Sequence, residues 1–363
     1  MLKNINKRPA FTTFLTEKKW FLKNGLTVLD VGARSGFENH WKYYKDQITL
    51  LGFEPDAKEC RGLNEKYADK NKMFFPVALG NDKKIRTFYI TSASGSSGFL
   101  EPDMRIMKRF PDETNLAIKK SIKIEPVDFD SFSKREKLKS PDFIKLDVEG
   151  FELQVLMGAT KTIDKAVIGV SCEVEFFQTH KNQSVFSDVD NFLRSHDFFL
   201  YDMTTYRHAR KLLPPISVSP DPGPTNYGQV LWAQVLYFKD PVRELEKRKE
   251  SPKKWSKKRI IRLISLMEIF KLNDCAMELV DYFSKREIFT TRESRFYMDL
   301  LTPMVDNKKI SYKEYIGKVS QVKRNGYINQ GHRVKLLLYK LLNYRFFQNL
   351  FFFLEKIGIK HSY

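Results

Sequence analysis

The sequence predicts an α/β protein, a doubly wound and mostly parallel sheet followed by a C-terminal all-α region. Three observations predict it. From residue 26 to about residue 204, short apolar runs alternate with stretches of helical spacing, the pattern of βαβ units with helices on both faces. The first run, "LTVLDVG", ends in a glycine and leads straight to another, Gly36, which suits a tight strand-to-helix turn. Beyond residue 241 the alternation stops, and helical patterns follow one another without strands.

The elements read as follows. Residues 1–25 are a helical or irregular lead-in. "LTVLDVG" (26–32) is a strand, and "GFENHWKYYKD" (36–46) can start a helix. "ITLLGFEP" (48–55) is a second strand, stopped by its proline. "AKECRGLNEKYADK" (57–70) places Cys60, Leu63 and Tyr67 on one side of a helix. "KMFFPVALG" (72–80), "KIRTFYIT" (84–91) and the first half of "KSIKIEPVDFDSF" (120–132) read as strands, with the loop "SASGSSGFLEP" (92–102) between the last two. "DFIKLDVEG" (142–150) is a buried strand, "LQVLMGATKTID" (153–164) a helix, "AVIGVSCEVEF" (166–176) a strand and "SVFSDVDNFLRSHDF" (184–198) a helix. "FFLYDMT" (198–204) and "QVLWAQVLYFKD" (229–240), joined by a Pro-rich connection, form an antiparallel hairpin at the sheet edge. Helical patterns cover 257–270, 272–285, 291–304, 311–324 and 333–357. The expected domains are 1–240 and 241–363.

Composition sets bounds. The chain is 42% hydrophobic and 29% charged, ordinary for a globular protein with a sizeable core. Cys60, Cys172 and Cys275 are far apart, so neither a disulfide framework nor a Cys-based zinc site is expected. No apolar run has the length of a leader or a spanning helix, so a cytoplasmic chain is expected. The net charge of +19 is uneven: residues 241–363 hold 27 Lys and Arg against 13 Asp and Glu, or +14, leaving +5 for residues 1–240. A basic C-terminal third suits an anionic partner: a lipid surface, a nucleic acid or an anionic glycan. The Phe- and Leu-rich stretch 333–359, with "KKWSKKR" (253–259) upstream, reads as a packed or subunit-interface helix. Its sharper reading is a membrane-surface segment, which would put the protein peripherally on the inner membrane face.

The chemistry lies at strand ends. In an open α/β sheet, ligands sit outside the carboxyl ends of the strands. Asp30, Gly32 and Gly36 mark the first such end and Glu54 the second. A strand-end acid in this position accepts hydrogen bonds from ribose hydroxyls. Arg34 stands where a dinucleotide fingerprint has its second glycine. That favours a nucleoside cofactor without phosphate, S-adenosylmethionine, with Asp30 meeting its ammonium or a water bound to it.

A third end, "KLDVEGFE", crowds Asp147, Glu149 and Glu152 where a strand becomes a helix. Methyl transfer needs a positioned acceptor and a group to take its proton. Asp147 is the first candidate, either as proton acceptor or as ligand of a divalent cation. Glu173 and Glu175 share one face of the next strand, so a Mg²⁺ ion on Asp147 with Glu173 or Glu175 is the metal expectation. Lys145 alternates with Asp147 and reads as its charge partner or as a hydroxyl-orienting group. His180 is a second candidate base and His40 a weaker one. Glu152 reads as an acid favouring a helix N-terminus. The Ser-rich loop 91–98 suits a lid, and loops 92–115 and 205–228 suit an acceptor pocket.

"LDVGARSG" (29–36), "GFEPD" (52–56), "VALGN" (77–81), "SASGSSGFLEP" (92–102) and "FIKLDVEGFELQVLMGA" (143–159), in that order, resemble the FkbM-type S-adenosylmethionine-dependent methyltransferases of the class I, Rossmann-like group. "VSCEVEFF" (170–177) and "DFFLYD" (197–202) extend the resemblance over about residues 25–240. It implies that Asp30, Gly32, Ala33 and Gly36 line the methionine end, and that Glu54 with Pro55 holds the ribose. It also implies that Ala78 and Leu79 contact the adenine, and that Asp147 lies beside the cofactor. Related enzymes methylate hydroxyls of sugars, polysaccharides or polyketide-type products, so O-methylation of a sugar or glycan is expected. Two other readings stay open. An RNA ribose methyltransferase would need a second catalytic lysine, for which Lys181 is the near candidate. A non-catalytic scaffold would keep the fold without turnover. A homo-oligomer is compatible with any of these.

Overall fold

The computed structural model describes residues 2–111, 113–216, 223–248 and 255–328, with side chains as far as Gln321. Its nine strands are β1 (Thr27–Val31), β2 (Thr49–Phe53), β3 (Lys72–Phe75), β4 (Arg86–Thr91), β5 (Ile118–Ile124), β6 (Phe143–Leu146), β7 (Gly169–Glu175), β8 (Phe198–His208) and β9 (Gln229–Lys239). Seven of them form one sheet in the order β3-β2-β1-β6-β7-β9-β8. The pairs from β3 through β7 are parallel, while β9 runs antiparallel to both β7 and β8. The chain lays strands outward from β1 to β3, then returns to place β6 on the other side of β1. That reversal opens a crevice between the carboxyl ends of β1 and β6, the place where such sheets bind ligands. The doubly wound class and the edge hairpin are as expected.

The central strands are short and apolar because helices cover both faces. Every residue of β1 is buried, Asp30 included. Leu29, Val31, Leu51, Phe53, Ile144, Leu146, Val170 and Val174 pack with Val155, Leu156, Ile163 and Leu193 of the covering helices.

Some local expectations are corrected. β4 and β5 leave the main sheet and pair with each other as an antiparallel ribbon. Lys119, Lys120, Ser121 and Lys123 are exposed, so β5 could not sit among strands buried on both faces. Residues 39–47 are a 3₁₀ segment broken at Lys45, whose φ is 52°. The stretch after residue 128 is a helix, Phe129–Arg135, because Asp128 caps it by accepting from Ser131 N at 2.7 Å. The helix expected over 153–164 is two, Glu152–Gly158 and Thr160–Lys165.

Past β9 the helices are Pro241–Arg248, Lys257–Ile269, Asn273–Ser284, Thr291–Leu301 and Tyr312–Ile328. The pattern at 333–357 lies outside the described residues. The style change at 240/241 falls at the end of β9, but the compact unit that holds the sheet runs on to Tyr297, and a second unit follows from Met298. In that second unit Lys309 Nζ donates to the Leu300 carbonyl at 2.7 Å, and Asp299 accepts from Tyr312 N at 2.8 Å.

Within the first unit, polar groups tie the helices to the sheet. Arg262 donates to Asp142 at 2.7 Å, and the other oxygen of that carboxylate accepts from Thr27 N at 2.9 Å. Asp142 immediately precedes β6 and Thr27 opens β1, so one carboxylate holds the two central strands and a later helix together. Phe270 stacks on Phe143, ring centres 5.4 Å apart. Glu268, fully buried, accepts from Phe11 N (2.8 Å), Thr12 N (2.7 Å) and Thr12 Oγ1 (2.7 Å). It caps the N-terminal helix Ala10–Glu17 from a position 257 residues beyond Phe11. Glu268→Ala strands those buried donors, and such losses cost about 3–5 kcal/mol. Chemical denaturation should show a drop of that size, whereas Glu268→Gln, which keeps one acceptor oxygen, should lose less.

Candidate active site

A cavity of about 840 Å³ opens at the carboxyl ends of the strands. Its first wall is the turn after β1. Gly32 takes φ +80°, and a Cβ there would lie 1.8 Å from the Asp147 carbonyl oxygen, so only glycine fits. The N–H groups of Gly32 and Ala33 both donate to the Phe53 carbonyl, at 3.0 and 3.1 Å, which fixes the turn against β2. At the end of β2, Glu54 is only 5% exposed yet lines the cavity. It accepts from Asp56 N at 2.9 Å and lies 3.7 Å from the Arg34 guanidinium, which also reaches Asp56 at 3.5 Å. Burial raises the Glu54 pKa, and the Asp56 amide and Arg34 offset part of that rise. Val77, Ala78 and Leu79, following β3, make an apolar side to the same cleft.

The second wall comes from β6 and β7. Lys145 lies 3.2 Å from Asp30 and 3.4 Å from Asp147. Burial works against its charge, but the fields of Asp30, Asp147 and Glu38 more than offset this and hold the amine above its ordinary value. Lys145 is therefore a fixed cation, not a base. Asp147 keeps 42% of its side chain exposed. Glu149 sits beyond it at φ 57°, a left-handed position that a non-glycine residue adopts at a cost. Glu173 and Glu175 lie opposite Gln234 and Trp232 of β9, and all four line the cavity. Trp232 stacks on Tyr206 at 3.8 Å and donates to His208 Nε2 at 3.2 Å. The Ser-rich loop, from Ser94 to Phe99, forms part of the rim, with Asn115 and Leu116 beside it.

Of the residues singled out in the sequence, Gly32, Gly36, Glu54, Pro55, Ala78, Leu79, Lys145, Asp147, Glu173, Glu175 and His180 all line this one cavity. Asp30 and Ala33 do not reach it. Asp30 is 1% exposed and locked to Lys145, and Ala33 packs against Cys60, Leu63 and Phe74. Burial pushes His180 down to about 4, so it is neutral and a weak proton acceptor. Burial likewise lowers His40 to about 3, where it packs between Trp41 and Phe270. Glu152 is fully buried and its carboxylate accepts from Val148 N at 2.9 Å, so it braces the strand-to-helix turn as well as facing the helix start.

The Mg²⁺ expectation is not supported: among the described residues, no three His, Cys, Asp or Glu side chains come together as metal ligands. Sequence reading missed Glu38, Trp232 and Gln234. Glu38 was hidden in a stretch read as helix. The pairing of Trp232 and Gln234 with the β7 carboxylates depends on register, which no local pattern encodes.

Burial raises the pKa of Glu152 to about 7 and those of Glu149, Glu173 and Glu175 well above the ordinary range. Each folded-state value then exceeds the unfolded one, so the stability these groups contribute is present below about pH 4.5 and is lost as pH rises above it, for Glu152 through about 7. The thermal midpoint should fall by several degrees between pH 5 and 8. Glu152→Gln should flatten that slope, and an unchanged slope would mean that Glu152 ionises as freely folded as unfolded.

The strand order and the glycine turn after β1 are those of a class I methyltransferase fold. Residues 30–200 match the family model described as "Methyltransferase FkbM domain". A search of the curated proteins found no match. Among solved structures, the chain is similar to methyltransferase FkbM from Methylobacillus flagellatus KT, with 16% identity over 59% of this chain and 44% of that one, and a TM-score of 0.34. It therefore spans less than half the length of that protein. It is also similar to precorrin-6y C5,15-methyltransferase from Geobacter metallireducens GS-15 (10% identity, 63% and 87% coverage, TM-score 0.30). A third is magnesium protoporphyrin IX methyltransferase from Synechocystis PCC 6803 with bound S-adenosylmethionine (10% identity, 64% and 81% coverage, TM-score 0.29). At such scores these likenesses add no weight to what the strand order and the family match already carry.

Proposed function

We propose that this protein transfers a methyl group from S-adenosylmethionine to a hydroxyl of a sugar, polysaccharide or glycolipid-type acceptor. The observation that carries the reading is the composition of the second wall. Trp232, one face of its ring stacked on Tyr206, lines the same cavity as Asp147, Glu173, Glu175 and Gln234, with Glu175 directly across the strand pair from it. An aromatic face bordered by hydrogen-bonding groups suits a sugar, whose rings present C–H faces and a fringe of hydroxyls.

The first wall fits the cofactor. Glu54 is a buried carboxylate aimed at the cleft where ribose hydroxyls would donate, Ala78 and Leu79 offer apolar surface to a base, and the Gly32 turn leaves room for close approach. When bound, the cofactor supplies a sulfonium methyl already activated for in-line displacement. The protein's tasks are then to aim one hydroxyl and to take its proton. Asp147, exposed to the cavity, accepts that proton as the acceptor oxygen bonds to the methyl carbon and the carbon–sulfur bond breaks. Lys145 holds the Asp147 carboxylate in place, and Asp30, behind it, holds Lys145. Glu173, Glu175 and Gln234 orient the remaining hydroxyls.

The test is methyl transfer from labelled cofactor to a panel of neutral sugars and oligosaccharides, with the product linkage read by mass spectrometry. Transfer to nitrogen or carbon, or to RNA alone, would overturn the reading. Trp232→Ala should raise KM for the acceptor about tenfold, the size expected of a lost aromatic contact, and leave cofactor affinity unchanged. A loss confined to cofactor binding would move Trp232 to the other wall.

A further inference from the structure

The connection between β8 and β9 leaves the sheet at the same end as the cavity, since His208 and Trp232, at the two strand ends, both line it. Leu212, Leu213 and Ile216 on this connection are exposed to 99%, 70% and 103%. Large aliphatic side chains are seldom left so fully in water side by side, and such a patch marks an interaction surface. Pro214 and Pro215 stiffen the backbone between them.

The base of this segment is well anchored. Lys211 N donates to the Arg109 carbonyl at 2.9 Å, Tyr227 Oη donates to the Leu213 carbonyl at 3.3 Å, and Arg207 donates to the Gly228 carbonyl at 3.0 Å. The Arg210 guanidinium packs 4.2 Å over the Phe110 ring. Lys211 pairs with Glu113, and Lys108 and Arg109 are exposed next to them. The described part of the segment thus carries three exposed aliphatic side chains beside a collar of cations.

We propose that residues 209–216 dock on an anionic lipid bilayer, with Leu212, Leu213 and Ile216 entering the acyl boundary and the Arg and Lys collar meeting headgroup phosphates. The two chemistries match the two layers of such a surface, an apolar acyl interior and an anionic headgroup layer. A polar polymer would satisfy the collar but not the aliphatic side chains. Docking in this way sets the cavity mouth beside the lipid headgroups, where a lipid-borne acceptor would be presented.

The experiment is co-sedimentation of the full-length chain with vesicles of phosphatidylglycerol and phosphatidylethanolamine, beside vesicles of phosphatidylcholine alone. The wild-type chain should bind the anionic vesicles, less so at high salt. The variant L212S/L213S/I216S should bind at least about tenfold more weakly, because each aliphatic chain contributes through its buried CH₂ groups. An unchanged thermal midpoint and unchanged S-adenosylhomocysteine affinity show that the variant is folded. Three results would overturn docking by this segment: no binding by the wild type, equal binding to neutral vesicles, or full binding by the variant. Concentration-dependent dimerisation lost in the variant, with vesicle binding intact, would instead assign the aliphatic side chains to a second copy of the chain. Vesicle binding is read without methyl transfer, so its failure leaves the hydroxyl acceptor standing, and a failed acceptor screen leaves the bilayer standing.

Discussion

Asp147→Asn should lower turnover by about 10²–10⁴-fold, the usual worth of a positioned proton acceptor, while leaving S-adenosylhomocysteine affinity within about threefold, well under the 1.4 kcal/mol that a tenfold change represents. The substitution keeps the shape of the side chain but removes its charge and with it its ability to take a proton. Its charge partner, Lys145, stays paired with Asp30 at 3.2 Å, so the turn has no reason to rearrange. The measurement is single-turnover methyl transfer beside a calorimetric titration of the product cofactor. Turnover within a few-fold of the wild type would move the proton-accepting role to Glu173 or Glu175. Equal loss of turnover and affinity would instead make Asp147 a binding group for the cofactor.

Glu54→Ala should weaken S-adenosylhomocysteine about 10- to 150-fold, the loss of about 1.5–3 kcal/mol in hydrogen bonds to a charged acceptor. The effect should be larger than for Arg34→Ala, because Arg34 touches Glu54 only at 3.7 Å and is free to turn toward Asp56. Glu54→Gln should fall between wild type and Glu54→Ala, since it keeps one acceptor oxygen. Affinity unchanged in Glu54→Ala would sink the ribose assignment.

Much of this site was legible in the sequence because its parts lie at strand ends, and strand ends are what alternating apolar runs reveal. Glu54 follows "ITLLGF" and Asp147 follows "FIKL", so the topology alone brings both to one crevice. What stayed hidden depended on non-local geometry. The sequence places an acid at Asp30, but only the pairing of β1 with β6 shows that Lys145 closes it off from the cavity. β5 has the alternation of a strand but the exposed lysines of a ribbon outside the sheet. The helices after residue 241 read as a separate region because their pattern differs from that of the sheet. Yet Arg262, Glu268 and Phe270 close onto Asp142, the N-terminal helix and Phe143. Contacts more than a hundred residues apart leave no periodicity to read.

The missing side chain at Gly32 has a consequence for how this protein can vary. The β1 turn and the "KLDVEG" turn touch there, backbone against backbone, with the Asp147 carbonyl filling the space a Cβ would take. In the mechanism proposed above, the seat of the methyl donor and the seat of the proton acceptor are therefore machined as one part. The alignment between the two cannot drift when rim loops are exchanged for ones that admit a different acceptor. Descendants of this scaffold can change what they methylate far more freely than where the methyl is delivered from.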